Sequence, residues 1–121
     1  MAEERVFIGV LRLVIRIPGA RTLKDRRQVA GSLMDRIRHR FPVSVHPVDT
    51  LDHPGRQIVV CTTAGNEPAI LRSNLDKIAS FAASAAGVVL GSVDADVFRW
   101  HSPDDPLRLV LPSDPSSDPS P

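Results

Sequence analysis

The hydrophobic residues of this chain change between a two-residue and a helical spacing in an order that few folds can accommodate. Residues 5–17 alternate, with Phe7, Leu11, Leu13, Ile15 and Ile17 on one face. This spacing predicts a β-strand, which the Pro18-Gly19-Ala20 segment ends. Apolar residues then recur every three or four positions from Leu23 to Phe41, which predicts an amphipathic helix with Thr22 as its N-cap.

The second part of the chain again combines strand and helix spacings, now as a hairpin, a helix and a last strand. Residues 43–50 and 58–63 are rich in Val, Ile and Thr and flank a turn-forming segment, which predicts a β-hairpin. Asn66 is placed to cap a second helix, whose core stripe is predicted to be Leu71, Leu75, Ile78 and either Phe81 or Ala82. A last strand is predicted over 88–100, with Val89, Val93, Ala95 and Val97 on one face.

The resulting order, β-α-β-β-α-β, predicts an α+β fold of the ferredoxin-like type. This is a split β-α-β sandwich with a four-stranded antiparallel sheet, strands 1 and 3 at its centre and both helices on one face. We expect one such domain over residues 1–101. Residues 102–121 are rich in Pro, Ser and Asp, and we expect them to form a disordered tail.

The net charge of +1 conceals an uneven distribution of charge along the chain. Residues 1–40 carry ten basic and four acidic side chains, a net charge of +6, whereas residues 41–121 carry five basic and ten acidic ones, a net charge of −5. Such asymmetry indicates contact with nucleic acid or a membrane, although a solvated helix face is the simpler alternative. The candidate nucleic-acid-binding residues are Arg21, Lys24, Arg26, Arg27, Arg36, Arg38 and Arg40, in the loop before the first helix and on the predicted solvent side of that helix.

The face of the sheet away from the helices is the second candidate surface. Val10, Arg12, Val14 and Arg16 lie on it, and an apolar face without helices favours self-association, so we expect a homodimer. A mildly apolar open face is the alternative. The outward positions of strands 1 and 3 carry no aromatic residue, so RNA binding by base stacking on these strands is not expected and any binding would be electrostatic.

Several other site types find little support. Cys61 is the one cysteine, which leaves no internal disulfide, and His39, His46, His53 and His101 lack metal-ligand spacing, so neither metal nor cofactor is expected. The N-terminus resembles neither a signal peptide nor a membrane span, so we expect a cytoplasmic protein without a membrane partner. Residues 18–22 open a helix beside Arg21 and leave an anion site, or acyl-phosphate chemistry, as a minor alternative to a non-catalytic protein.

Three runs of sequence carry a family resemblance: RIPGARTLKDRR at 16–27, RFPVSVHPVD at 40–49 and SNLDKI at 73–78. Over residues 5–100 the chain resembles the YlxP-like family of small bacterial proteins, catalogued as domain of unknown function family 503. The family often has a Q-D-x-W-Q-R stretch after the second strand. Asp52 and Arg56 match it here, but the Gln and the Trp are replaced, which puts any role of that aromatic residue in doubt. The resemblance implies a ferredoxin-like fold and no assigned activity.

Family genes commonly lie beside those of translation initiation and ribosome maturation factors, which implies a role near ribosomal RNA. The sequence and the resemblance together predict a non-catalytic accessory factor associated with RNA or the ribosome. The alternative is a homo-oligomeric structural or protein-interaction module that binds no nucleic acid.

Overall fold

The computed structural model describes residues 5–48 and 53–100, and the six predicted elements are all present in the predicted order. They are β1 (Phe7–Arg16), α1 (Leu23–Arg40), β2 (Ser44–Val48), β3 (Arg56–Gly65), α2 (Pro68–Ala83) and β4 (Val89–Arg99). The predicted tail at 102–121 and Asp52 of the family stretch lie outside the described residues. No helix in the described part of the chain is long and apolar enough to cross a membrane.

The four strands form one antiparallel sheet in the order β2-β3-β1-β4, so β1 and β3 are central, as the sequence predicted. Leu11 of β1 lies opposite Cys61 of β3 on one side and opposite Ala95 of β4 on the other. This fold is the expected α+β sandwich of the ferredoxin-like type.

The core lies between the sheet and the two helices. The alternating residues Leu11, Leu13 and Ile15 of β1 are at most 1% exposed and belong to one buried cluster with residues from both helices. The helix residues of that cluster are Ala30, Leu33, Met34 and Ile37 of α1 and Leu75, Ile78 and Ala82 of α2. Full burial of one such aliphatic side chain contributes about 1.5–3 kcal/mol, so this single cluster dominates the stability of the domain.

Gly9 lets α2 pack closely against the sheet. A Cβ atom built at Gly9 would lie 3.0 Å from Cγ2 of Thr63 and 3.3 Å from Cδ1 of Leu75. Real side chains rarely come so close, so a larger residue at this central position of β1 would push α2 or β3 away.

The two helices begin in different ways. Thr22 caps α1 as predicted: its hydroxyl accepts a hydrogen bond from the amide of Asp25, and the Asp25 carboxylate accepts one from the amide of Thr22, forming a capping box. The expectation that Asn66 caps α2 is wrong. The N-cap is Glu67, which makes no side-chain capping bond, and Pro68 occupies the first turn, where its missing amide N–H costs least.

The prediction that Val89 shares a face of β4 with Val93 is wrong, because a β-bulge lies between them. The register with β1 shifts between Val14 and Ile15, so that Ile15 lies opposite Leu90 and Arg16 opposite Val89. Leu90 therefore packs against the core, while Val89 is exposed on the opposite face from Val93. A bulge inserts one extra residue and inverts the alternation, which a two-residue sequence pattern does not reveal.

The sheet has two edge strands of different character. β2 is short and carries Pro47, which has no amide N–H to offer a further strand. β4 is 11 residues long and carries Asp94 and Asp96 at its middle.

Candidate nucleic-acid interface

The exposed side of α1 and the loop before it hold most of the predicted basic residues. Six of the seven candidates are exposed: Arg21, Lys24, Arg27, Arg36, Arg38 and Arg40. They lie on the helix layer, away from the open face of the sheet.

The prediction that Arg26 lies on the solvent side of α1 is wrong, because Arg26 is only 5% exposed. Its Nη1 donates hydrogen bonds to the carbonyl oxygens of His53, at 3.2 Å, and Arg56, at 3.4 Å. Arg26 thereby connects the first turns of α1 to the segment that leads into β3. The sequence held a signal for this position: residue 26 precedes Ala30 by four positions and therefore belongs to the buried stripe of the helix.

Both carboxylates of α1 have partners within the molecule. The Asp25 carboxylate accepts hydrogen bonds from the amides of Arg21, at 2.9 Å, and Thr22, at 3.3 Å. The Arg21 amide is the main cause of the lowered pKa of Asp25, helped by the bonds from Thr22 and the charge of Lys24 and opposed by desolvation. Asp35 forms an ion pair of 2.9 Å with Arg38.

Arg38 is the second basic residue with a structural contact. Its Nη2 donates a 2.8 Å hydrogen bond to the carbonyl oxygen of Val45, and its Nη1 contacts Asp35. Arg38 thus connects the last turn of α1 to β2. Within the described part of the chain, the other five exposed candidates have neither an ion pair nor a side-chain hydrogen bond.

Phe81 brings two of these five residues together. The Cζ atoms of Arg36 and Arg40 lie 5.8 and 5.0 Å from the centroid of its ring, within the range of cation–π interactions. Phe81 also contacts Phe41 edge to face, at 5.8 Å between centroids. Of the two alternatives for the core stripe of α2, Ala82 is buried, whereas Phe81 is half-buried and lies in the space between the two helices.

A groove runs along this part of α1, between the helices. Gln28, Ser32, Asp35, Arg36, His39, Arg40 and Phe81 line it. The carbonyl oxygen of Asp35 lies 2.8 Å from Nδ1 of His39, which fixes Nδ1 as the protonated nitrogen and leaves Nε2 for an external partner.

The loop at residues 18–22 does not offer the open anion site considered from the sequence. The amides of Arg21 and Thr22 donate to Asp25, and the amide of Ala20 donates to the carbonyl oxygen of Ile17 at 2.9 Å. The carboxylate of the chain itself therefore occupies the position that an external anion would take.

The predicted association residues, Val10, Arg12, Val14 and Arg16, all lie on the open face of the sheet. Val14 is only 5% exposed and offers little surface to a partner. Arg12 pairs with Asp94 at 3.3 Å across β1 and β4. Both side chains are largely exposed, and such a pair contributes about 0–1 kcal/mol.

The open face also carries aromatic residues outside β1 and β3. Phe98 of β4 lies opposite Ile8 and is 40% exposed. Trp100 follows two residues later and is 45% exposed, and its amide donates to the carbonyl oxygen of Val6 at 2.7 Å. Phe98 lies on the edge strand and Trp100 directly after it, whereas the outward positions of β1 and β3 are free of aromatic residues, as the sequence indicated.

Among the described residues, the other groups that could take part in chemistry are a buried thiol and scattered His, Asp and Glu side chains. Cys61 is fully buried, and desolvation raises its pKa to about 11 despite the nearby charge of Arg38. In residues 5–48 and 53–100, no group of three or more His, Cys, Asp or Glu side chains is arranged to hold a metal ion.

A family model described as "Protein of unknown function (DUF503)" matches residues 8–95, which is more than half of the 121 residues and spans the ordered elements almost completely. No curated protein matches the chain.

Proposed function

The chain belongs to the DUF503 family, and we propose that this member is a non-catalytic, cytoplasmic accessory factor that binds RNA, on the ribosome or during RNA processing. The binding surface is the exposed face of α1 with the loop before it. This basic surface is defined by Arg21, Lys24, Arg27, Arg36 and Arg40.

One observation carries the proposal: neither carboxylate of α1 forms an ion pair with a member of this basic surface. Asp25 is bound to backbone amides and Asp35 to Arg38, so five cations face solvent without a described carboxylate partner. Side chains of like charge on one surface repel each other, and an external polyanion relieves that repulsion. RNA supplies a phosphate at every nucleotide and is therefore the partner of matching charge.

The salt dependence of binding tests the proposal. If the five cations each neutralise one phosphate of a single strand, the logarithm of the affinity falls with the logarithm of the salt concentration with a slope of about −3.5. Fluorescence anisotropy with ribosomal RNA fragments measures this slope. Replacing Arg21, Arg27, Arg36 and Arg40 with Gln leaves only Lys24 and should bring the slope to about −0.7.

Arg72→Gln is the control, because Arg72 is exposed on α2 outside the basic surface and its loss should leave the slope unchanged. Co-sedimentation with ribosomal subunits across a salt series then tests the cellular context. Ribosomal RNA fragments that bind no better than a neutral polymer at low salt would disprove the proposal.

A homo-oligomeric module without nucleic-acid binding is the second candidate, and the open face of the sheet favours it. No helix covers Ile8, Val10, Ile58 and Val60 on this face, and Phe98 extends the apolar area at one corner. A second copy of the chain would bury this area and leave the helix layer free. Light scattering at micromolar concentration tests this candidate, and a monomeric mass would exclude it.

A further inference from the structure

We infer that the groove between α1 and α2 is the point where the RNA backbone is held, and that Arg36 and Arg40, both within cation–π distance of Phe81, bind neighbouring phosphate groups of a single strand. This inference rests on the proposed function and deepens it. It assigns a second role to Phe81, which also packs against the edge of the core and contacts Phe41.

The backbone positions of Arg36 and Arg40 have a spacing that suits a phosphate chain. Arg36 and Arg40 are four residues apart on α1, which places their backbones about 6 Å apart along the helix axis and their side chains on the same face. Successive phosphates of one strand are separated by a comparable distance. One strand can therefore contact both residues without bending sharply.

Phe81 orders these arginines without using their hydrogen-bond donors. A ring attracts the face of a guanidinium group, whereas the five N–H donors point outward in the guanidinium plane. Stacking also removes part of the rotamer freedom that a solvated arginine would lose on binding. The arginines over Phe81 are thus prepared for bidentate contacts, in contrast to Arg21, Lys24 and Arg27, which have no such support among the described residues.

The other groups of the groove are compatible with an anionic ligand. Gln28 and Ser32 supply neutral donors, and Nε2 of His39 faces away from its bond to the Asp35 carbonyl. The one carboxylate in the groove, Asp35, is held by Arg38 at 2.9 Å. The groove lies on the helix layer and offers no sheet edge with which a peptide main chain could form hydrogen bonds. The cations alone would attract either polyanion, so the missing sheet edge is what favours RNA over an acidic peptide.

Conservative variants distinguish the contribution of the Phe81 ring to binding from the contribution of charge. Phe81→Leu keeps every charge and an apolar side chain but removes the ring. We expect binding to a short oligouridylate to weaken about fivefold with an unchanged salt slope. The double variant R36K/R40K keeps the charge and leaves the Phe81–Phe41 contact in place, and it should weaken binding similarly, because lysine lacks the planar fork. Arg72→Lys is the control, because Arg72 is exposed on α2 outside the basic surface, and this variant should bind as the unaltered protein does.

Side-chain nitrogen spectra of arginine locate the contact directly. With oligouridylate, the Nε–H signals of Arg36 and Arg40 should shift at lower ligand concentration than those of Arg21 and Arg27. Equal shifts of all four signals, or unchanged affinity in both Phe81→Leu and R36K/R40K, would overturn the inference while the proposed function stands.

Two further outcomes decide the occupant. Polyglutamate that binds this groove as tightly as oligouridylate would make the site one for acidic proteins and would refute the RNA assignment. If the unaltered protein binds neither oligouridylate nor ribosomal RNA fragments, the proposed function fails and this inference fails with it.

Discussion

Replacing Arg26 with methionine should destabilise the fold without removing a nucleic-acid contact. Arg26 is 5% exposed and donates from Nη1 to the carbonyl oxygens of His53 and Arg56. Methionine has a similar length and suits an apolar stripe, so the variant removes the hydrogen bonds while leaving little cavity. The link between α1 and the start of β3 is what the substitution tests.

The magnitude follows from the geometry of the two bonds. Hydrogen bonds to a charged group contribute about 1.5–3 kcal/mol each. The distances of 3.2 and 3.4 Å are long, and the His53 carbonyl keeps a second donor in the amide of Arg56 at 3.1 Å, so each bond belongs at or below the lower end of that range. Methionine recovers some apolar burial. Because Arg26 has a further interaction besides these two bonds, we expect a loss of at least about 2 kcal/mol in the free energy of unfolding, which lowers the Tm of a domain of this size by roughly 10 °C or more.

Urea and thermal denaturation followed by circular dichroism measure this loss. Arg27→Met is the matched control, because Arg27 is the exposed neighbour and its replacement should change stability by less than about 0.5 kcal/mol. The two variants should exchange roles in RNA binding: Arg27→Met should lower the salt slope by about 0.7, and Arg26→Met should leave it unchanged. Equal stability of the two variants, together with a reduced slope for Arg26→Met, would refute this account and restore Arg26 to the basic surface.

Three further outcomes are expected. Gly9→Ala should lower the free energy of unfolding by about 1–3 kcal/mol in urea titrations, since its Cβ would lie 3.0 Å from Thr63; a neutral effect would show that α2 shifts freely. Asp25→Asn should lower the Tm at neutral pH. Because folding lowers the pKa of Asp25, its contribution to stability is full above the unfolded pKa near 3.8 and is lost as the pH falls through the folded pKa. The difference in Tm between the two proteins should therefore shrink below about pH 4. A difference that stays constant with pH would contradict the capping box. Cys61, whose pKa is raised to about 11, should resist alkylation at neutral pH until the protein is unfolded in urea, and rapid labelling of the native protein would contradict its burial.

The fold was predictable because periodicity is a local property. Alternation in β1 and helical spacing in α1 and α2 gave the element order, and few topologies satisfy that order. The misplaced face of Val89 has a physical cause, since the bulge that inverts the face of β4 depends on pairing with β1. Asn66 failed as a cap because the helix begins one residue later, at a position that proline already suits.

The candidate site was predictable only in part. The charge count located the basic surface, but it could not distinguish Arg26 and Arg38, which bond to backbone carbonyls of other segments, from arginines that face solvent. The arrangement of Arg36 and Arg40 around Phe81 depends on how α2 lies beside α1, which is a tertiary property. The spacing of residues within either helix therefore does not predict this arrangement.

The two edges of the sheet limit how this protein can aggregate or assemble. Pro47 denies a hydrogen-bond donor to any strand that approaches β2. If β4 paired with a second β4 over its full length, antiparallel symmetry would place Asp94 directly against the Asp94 of the second copy, and like charges in that position are destabilising. One residue at each edge, Pro47 in β2 and Asp94 in β4, thus disfavours the addition of a further strand. The same two residues disfavour open-ended fibres that grow by strand addition.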